Sequence, residues 1–307
     1  MGESQPTFFY QVEEKENGKM LRQVLESRFR FSKRMMRKLK AHQLVTVNGE
    51  VIYLTSRVKT GDQIVVRMME EELPEHIEPQ PVDFRIVYED EDIVVVDKPP
   101  GLVVHPTRGH PDHTLANGLF YHWQQQGQTH KMRPVTRLDK DTSGLMVVAK
   151  HAYAHAFLAE QMAKKRYQRM YLAVVHGQME QDTGTVEAPI GLHPEVATAR
   201  RVDFEDGDPA ITHYQVVQRY SNATLVRLQL ETGRTHQIRV HLSWLGYPII
   251  GDSLYGTGND MHLVSRQALH ATYLRLYHPR LQEWKEWDSP LPEDIQDCIR
   301  KLQAMME

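Results

Sequence analysis

The sequence predicts an α+β protein: a large domain on a mixed, mainly antiparallel sheet, preceded by a small α/β module. Three observations predict it. Short apolar, β-branched runs recur at 93–96, 144–149, 171–175, 211–217 and 223–230. Some are separated by too few residues for a parallel crossover; only five lie between 217 and 223. Helical patterns intervene at about 151–165 and 236–245, and the basic residues crowd near the N-terminus while an acidic, proline-bearing run follows them.

At 307 residues with 40% hydrophobic content, the chain is long enough for two domains with real cores. No stretch reaches about 18 consecutive apolar residues, so neither a spanning helix nor a membrane partner is expected. The N-terminus has no basic start followed by an apolar run, so no secretory signal is expected. The single cysteine, Cys298, excludes an internal disulfide and a cysteine-rich zinc site. The cytoplasm is the expected compartment, and no obligate protein partner is indicated.

Taken in order, residues 19–31 carry Leu21, Val24, Leu25 and Phe29 at helical spacing. Ser32 suits the N-cap of a second, strongly basic helix over 33–40. Two apolar runs then flank Asn48-Gly49, the strongest short hairpin signal, and a turn and strand over 59–66 close the module. The net charge of −3 conceals a polarised distribution. Lys19, Arg22, Arg28, Arg30, Lys33, Arg34, Arg37, Lys38 and Lys40 are opposed locally only by Glu26. Such a face attracts phosphates and releases counterions, although a solvated basic face without a partner has the same composition. The expected organisation is a module at 1–72, a proline-rich linker at 73–82 and a larger domain at 83–307.

Polar residues concentrate beside turns in the larger domain. Most informative is Pro134-Val-Thr-Arg-Leu-Asp-Lys-Asp-Thr-Ser-Gly-Leu-Met-Val-Val-Ala-Lys150. It places Asp139 in a turn just before a buried strand, with Arg137 two residues earlier and able to share its face. A carboxylate beside a guanidinium is favoured in its charged form and suits a nucleophile; a surface ion pair at a strand end has the same pattern. Asp139 and Asp141 lie too close to serve as a glycosidase pair. His105, His110 and His113 share a loop but lack carboxylates at ligand spacing, so no metal site is expected.

Two resemblances follow from these residues. The segment 19–67, with its Phe-Ser-Lys-Arg helix opening and Val-Asn-Gly hairpin, resembles the S4-type RNA-binding module. The larger domain resembles the RluA/RluD family of pseudouridine synthases, whose motifs occur in order. They are Lys98-Pro-Pro-Gly-Leu-Val-Val-His105, Arg137-Leu-Asp-Lys-Asp-Thr-Ser-Gly144, Arg169-Met-Tyr171 and Gly233-Arg-Thr-His-Gln-Ile-Arg-Val-His241. Gly251-Asp-Ser-Leu-Tyr-Gly256 and Arg266-Gln-Ala-Leu-His-Ala271 also fit. One position departs: Thr136 stands where the family commonly has histidine.

The resemblance implies an enzyme that isomerises uridine in structured RNA, with large-subunit ribosomal RNA suggested by the N-terminal module. That chemistry changes no oxidation state and implies no cofactor. Asp139 is the implied nucleophile, either on the anomeric carbon or by promoting a glycal-type elimination. Arg234 is the implied arginine paired with it, and Tyr171 the tyrosine that stacks on or contacts the target base or serves as base for a carbon-bound proton. Arg137 is the implied residue that takes the displaced uridine's place in the stack, offsetting the cost of extracting a base. Lys98 and Lys150 are expected as phosphate contacts, and Arg30, Lys33, Arg34, Arg37 and Lys38 as the RNA-binding face. The alternatives are a catalytically silent RNA-binding or ribosome-assembly factor of the same fold, and a hydrolase releasing free uracil.

Overall fold

The computed structural model describes residues 7–68, 77–258 and 260–305. The first part of the expected linker, 73–76, lies outside the described residues. The chain begins with β1 (Thr7–Gln11), α1 (Leu21–Arg28), α2 (Lys33–Ala41), β2 (Val45–Val47), β3 (Glu50–Val51) and β4 (Gln63–Arg67). These strands form an antiparallel sheet ordered β1-β4-β2-β3. The Ser32 hydroxyl accepts from the Met35 amide at 3.2 Å, capping α2 as its sequence predicts. That helix buries Met36 and Leu39 and leaves Lys33, Arg34, Arg37, Lys38 and Lys40 exposed. Asn48 and Gly49 both take positive φ, 53° and 86°, as a two-residue hairpin turn of this hand requires. β1 was not anticipated; it pairs with β4 along its whole length and extends the module toward the N-terminus.

The larger domain continues through β5 (Arg85–Glu89), β6 (Ile93–Lys98), α3 (Leu115–Gln125), β7 (Arg133–Pro134), β8 (Ser143–Ala149) and α4 (Ala152–Ala163). Then come β9 (Gln168–His176), β10 (Thr183–Glu187), β11 (Ile190–Leu192), β12 (Arg200–Val202), β13 (Ile211–Arg219) and β14 (Ala223–Leu230). The last elements are α5 (Gln237–Trp244), β15 (Leu269–Tyr277), β16 (Trp284–Asp288) and α6 (Glu293–Ala304). Ten strands form one sheet, its main path running β10-β13-β14-β9-β15-β8-β6-β5. Among the described residues only β15 and β8 pair in parallel, so the sheet is mixed and mainly antiparallel. At that junction Gly144 has φ +110°, and a Cβ there would lie 2.2 Å from the Ala271 carbonyl oxygen.

The sheet is covered on both faces. Val94, Val96, Met146 and Val148 point into a core shared with α3, α5 and α6. Ile93, Val95, Leu145 and Val147 point the other way, as period two demands, into a core shared with α4 and the N-terminal module. β8, buried at all seven positions, therefore reads as a continuous apolar run.

The module is joined to the larger domain by specific contacts. Phe8 and Phe31 pack edge-on against Tyr153 of α4 at 5.1 and 5.0 Å. The Tyr153 hydroxyl donates to the Phe29 carbonyl at 2.8 Å. Arg280 donates to the Thr7 carbonyl at 2.7 Å, lies 4.1 Å over the Phe8 ring and grips buried Asp92 at 2.8 and 2.9 Å. His151 contacts the same carboxylate at 2.8 Å.

Candidate active site

Asp139 occupies the loop entering β8, and two buried cations fix that loop. Lys98, fully buried at the end of β6, donates to the carbonyls of Pro99, Leu102 and Lys140 at 2.9, 2.9 and 2.8 Å. Three acceptors match the three N–H bonds of an ammonium. Burial pushes its pKa down to about 7, against the charges of Asp141 and Asp139, which raise it. On the other side Arg266 donates to the Asp141 carbonyl at 2.9 Å while gripping Asp294 at 2.6 and 3.0 Å. The expectation that Lys98 contacts phosphate is corrected: its ammonium is spent on positioning the loop.

The arginine that meets Asp139 is Arg239. Its Nη1 donates to Asp139 Oδ2 at 3.1 Å, while Nε and Nη2 grip both oxygens of buried Asp252 at 2.7 and 2.8 Å. Asp252 also accepts from the amides of Leu254 and Tyr255, both at 3.0 Å, so the guanidinium is held from behind. Burial disfavours the charge on Arg239, but Asp252 and Asp139 outweigh it and raise its pKa. Arg234, expected in this role, instead donates to the Pro209 carbonyl at 3.1 Å and lies 3.5 Å from Asp208. It precedes α5 and is exposed, whereas Arg239 lies on that helix between buried Ile238 and Val240.

His236 completes this side. It caps α5 with φ 58°, in the left-handed region, and its Nε2 lies 4.0 Å from Asp139 Oδ2. Its Nδ1 lies 2.8 Å from the Tyr255 hydroxyl. Burial lowers its pKa, opposed by Asp139 and reinforced by Arg239, so the ring is neutral near pH 7.

These groups face a cleft of about 440 Å³ whose lining includes His105, Thr136, Arg137, Asp139, Arg169, Tyr171 and Arg234. Tyr171 projects from β9 and is 4% exposed. Burial raises the pKa of its phenol; Arg169 opposes this and the Asp139 charge adds to it. Arg137 is exposed at the mouth. Asp139, Tyr171, Arg137 and Arg234 are thus brought together, although Arg234 does not touch the carboxylate. A larger cavity of about 630 Å³ lies at the module junction, lined by Phe8, Tyr10, Tyr88 and Arg280, and shares no residue with this cleft.

The remaining expected contacts divide. Lys150 is buried, donating to Glu89 at 2.9 Å and to the Asp90 carbonyl at 2.8 Å. It is a structural cation at the far end of β8, which corrects the phosphate assignment. Arg30 takes φ 54° and lies 5.8 Å over the Phe157 ring of α4. Lys33, Arg34, Arg37 and Lys38 project from α2, and no ion pair among the described residues engages them. Asp90, Asp92 and His278 have metal-compatible spacing, but Arg280 and His151 already bind Asp92. Arg239, Asp252, His236 and Arg169 were not anticipated as site residues, although the motifs that carry the resemblance contain all four.

The cleft thus presents a carboxylate oriented by a clamped guanidinium, with a buried tyrosine in the same lining. Residues 92–244 match the RNA pseudouridylate synthase family, and residues 8–64 match the RluD ribosomal pseudouridine synthase N-terminal domain. The chain is 44% identical to YjbO, an uncharacterized RNA pseudouridine synthase of Bacillus subtilis (strain 168), over 83% of this chain and 89% of that one. It is 40% identical to ribosomal large subunit pseudouridine synthase D of Escherichia coli (strain K12), over 96% and 94% of the two chains. Among solved structures, human RNA pseudouridylate synthase domain containing 1 superposes with a TM-score of 0.56 at 27% identity, covering 74% of this chain and 98% of its own. The chain belongs to the RNA pseudouridine synthase family, enzymes that isomerise uridine within RNA.

Proposed function

We propose that this enzyme converts uridines of large-subunit ribosomal RNA to pseudouridine in the cytoplasm, with Asp139 as the group that opens the glycosidic bond. The observation that carries this reading is the Asp139–Arg239–Asp252 chain at the cleft, beside Tyr171. Similarity to ribosomal large subunit synthases over nearly the full chain supports the choice of RNA.

The reaction breaks the bond from C1′ to N1, turns the detached base and joins C1′ to C5. Asp139 either adds to C1′ or takes the 2′ proton for a glycal-type elimination; both routes need the same carboxylate in the same place. Arg239 holds that carboxylate toward the cleft, and Asp252 prevents the guanidinium from swinging away. Tyr171 is neutral at physiological pH, which favours contact with the flipped base over abstraction of its C5 proton. Arg137, exposed at the cleft mouth, fills the gap in the RNA stack left by the extracted nucleotide. The exposed cations of α2, with Arg30 beside them, draw structured RNA onto the module.

Incubating large-subunit RNA with the wild type and with Asp139→Asn, then reading carbodiimide-dependent primer-extension stops, tests the assignment. Stops with the wild type alone are expected. No product from the wild type would instead indicate an RNA-binding factor without activity.

A further inference from the structure

Arg169 precedes Tyr171 by two residues on β9, so the two side chains share a face of the strand. It lines the cleft and is only 8% exposed. Its hydrogen bonding is poor for so buried a cation. Nη2 reaches the Thr232 carbonyl at 3.3 Å and the guanidinium also bonds the Tyr171 hydroxyl, but Nε has no partner among the described residues. The guanidinium lies 5.8 Å over the Tyr167 ring. No carboxylate among the described residues pairs with it, in contrast to Arg239 and Arg266, each clamped by an aspartate. A desolvated guanidinium without a counter-charge is costly to keep. An anion arriving from outside would offset that cost.

The chemistry supplies one. When the C1′–N1 bond breaks, its electron pair leaves with N1, and the negative charge spreads over the uracil carbonyl oxygens. This holds whether Asp139 bonds to C1′ or removes the 2′ proton. On rejoining, the ring's electrons form the bond from C5 to C1′ as the Asp139 oxygen leaves C1′; on the elimination route Asp139 instead returns its proton to C2′. The C5 proton is then lost and N1 takes up a proton. The detached ring is therefore an anion for its whole lifetime in the cleft, and it lies against Tyr171, beside Arg169. A phosphodiester stays with the backbone at the rim, whereas the flipped base is the part of the RNA that enters. We propose that Arg169 is a catalytic residue that holds the negative charge of the detached uracil through its unpartnered guanidinium edge. This rests on the chain acting as a pseudouridine synthase through Asp139.

The test uses the full chain and an RNA in which the wild type forms pseudouridine, comparing Arg169→Met and Arg169→Lys under single turnover at saturating enzyme. Arg169→Met should lower the saturating rate on the order of 100-fold, the usual loss when a donor to a developing anion is removed. RNA affinity and its salt slope should stay unchanged, and Arg169→Lys should recover much of the rate. An unchanged saturating rate with weaker binding and a salt slope smaller by about 0.7–0.9 would overturn the proposal in favour of a phosphate grip. Equal rate losses in both variants, with a lowered unfolding temperature, would overturn it in favour of a structural role. If the wild type is active, Asp139→Asn is dead and Arg169→Met is unimpaired, this proposal alone fails. If the wild type forms no pseudouridine on any RNA, the underlying reading fails with it.

Discussion

Arg239 reaches Asp139 with one nitrogen while its other two are committed to Asp252. The orientation of the Asp139 carboxylate thus depends on a residue 113 positions further along the chain, which never enters the cleft lining. Asp252→Asn should therefore lower the single-turnover rate by roughly 10–100-fold while RNA affinity holds. Arg239→Lys should not restore activity, because an ammonium cannot serve a carboxylate on each side with the geometry of a planar fork. A fully active Asp252→Asn protein would show that the clamp is dispensable.

Lys98 and the α2 cations make opposite predictions under salt. Lys98→Met leaves the carbonyls of Pro99, Leu102 and Lys140 without their donor and should destabilise the protein by about 2 kcal/mol in urea titration. Its salt slope for RNA binding should match the wild type's.

Replacing Lys33, Arg34, Arg37 and Lys38 together by glutamine should reduce that slope by about 0.7–0.9 for each phosphate no longer neutralised. Unfolding free energy should move by less than about 0.5 kcal/mol, as expected of exposed substitutions. An unchanged slope would remove the module's basic face from the RNA path.

Acid should loosen the junction between module and sheet. Burial alone would raise the Asp92 pKa, but His151 and Arg280 outweigh it and hold the carboxylate below its ordinary 3.8. A depressed carboxylate contributes stability that is present above 3.8 and lost as pH falls through the folded-state value. Arg280→Met should cost about 3 kcal/mol near neutral pH. The gap from wild type should narrow below pH 4 in urea titrations at stepped pH.

Gly144→Ala tests the parallel junction. The new methyl would strike the Ala271 carbonyl oxygen in a backbone conformation that side chains avoid. A loss of about 3 kcal/mol or more is expected, read by thermal unfolding.

Local chemistry made much of the fold legible. The Ser32 cap, the Asn48-Gly49 turn and the β-branched strands each follow from their own residues. α3 escaped notice because it is buried on nearly every side, through Leu115, Ala116, Asn117, Gly118, Leu119, Phe120 and Trp123, and shows no polar face. In the site, two arginines five residues apart compete for one carboxylate, and spacing alone does not say which is turned inward. The neighbours Ile238 and Val240 carried that signal: a charge within a buried helical stretch needs a partner. The lysines were misread because their acceptors lie far away in sequence, Lys140 at 42 residues from Lys98 and Glu89 at 61 from Lys150. Burial of a strand-end lysine is a tertiary property.

On the proposed function, the aromatic seam joining Phe8 and Phe31 to Tyr153 makes the module a fixed gauge, with the proposed grip point on α2 and the proposed reaction point at Asp139 set at one span. An RNA fragment trimmed to the target loop fills only one of them. Choice of uridine would then fall to the RNA's own folded shape, since only a transcript presenting both features at that span would engage the two together.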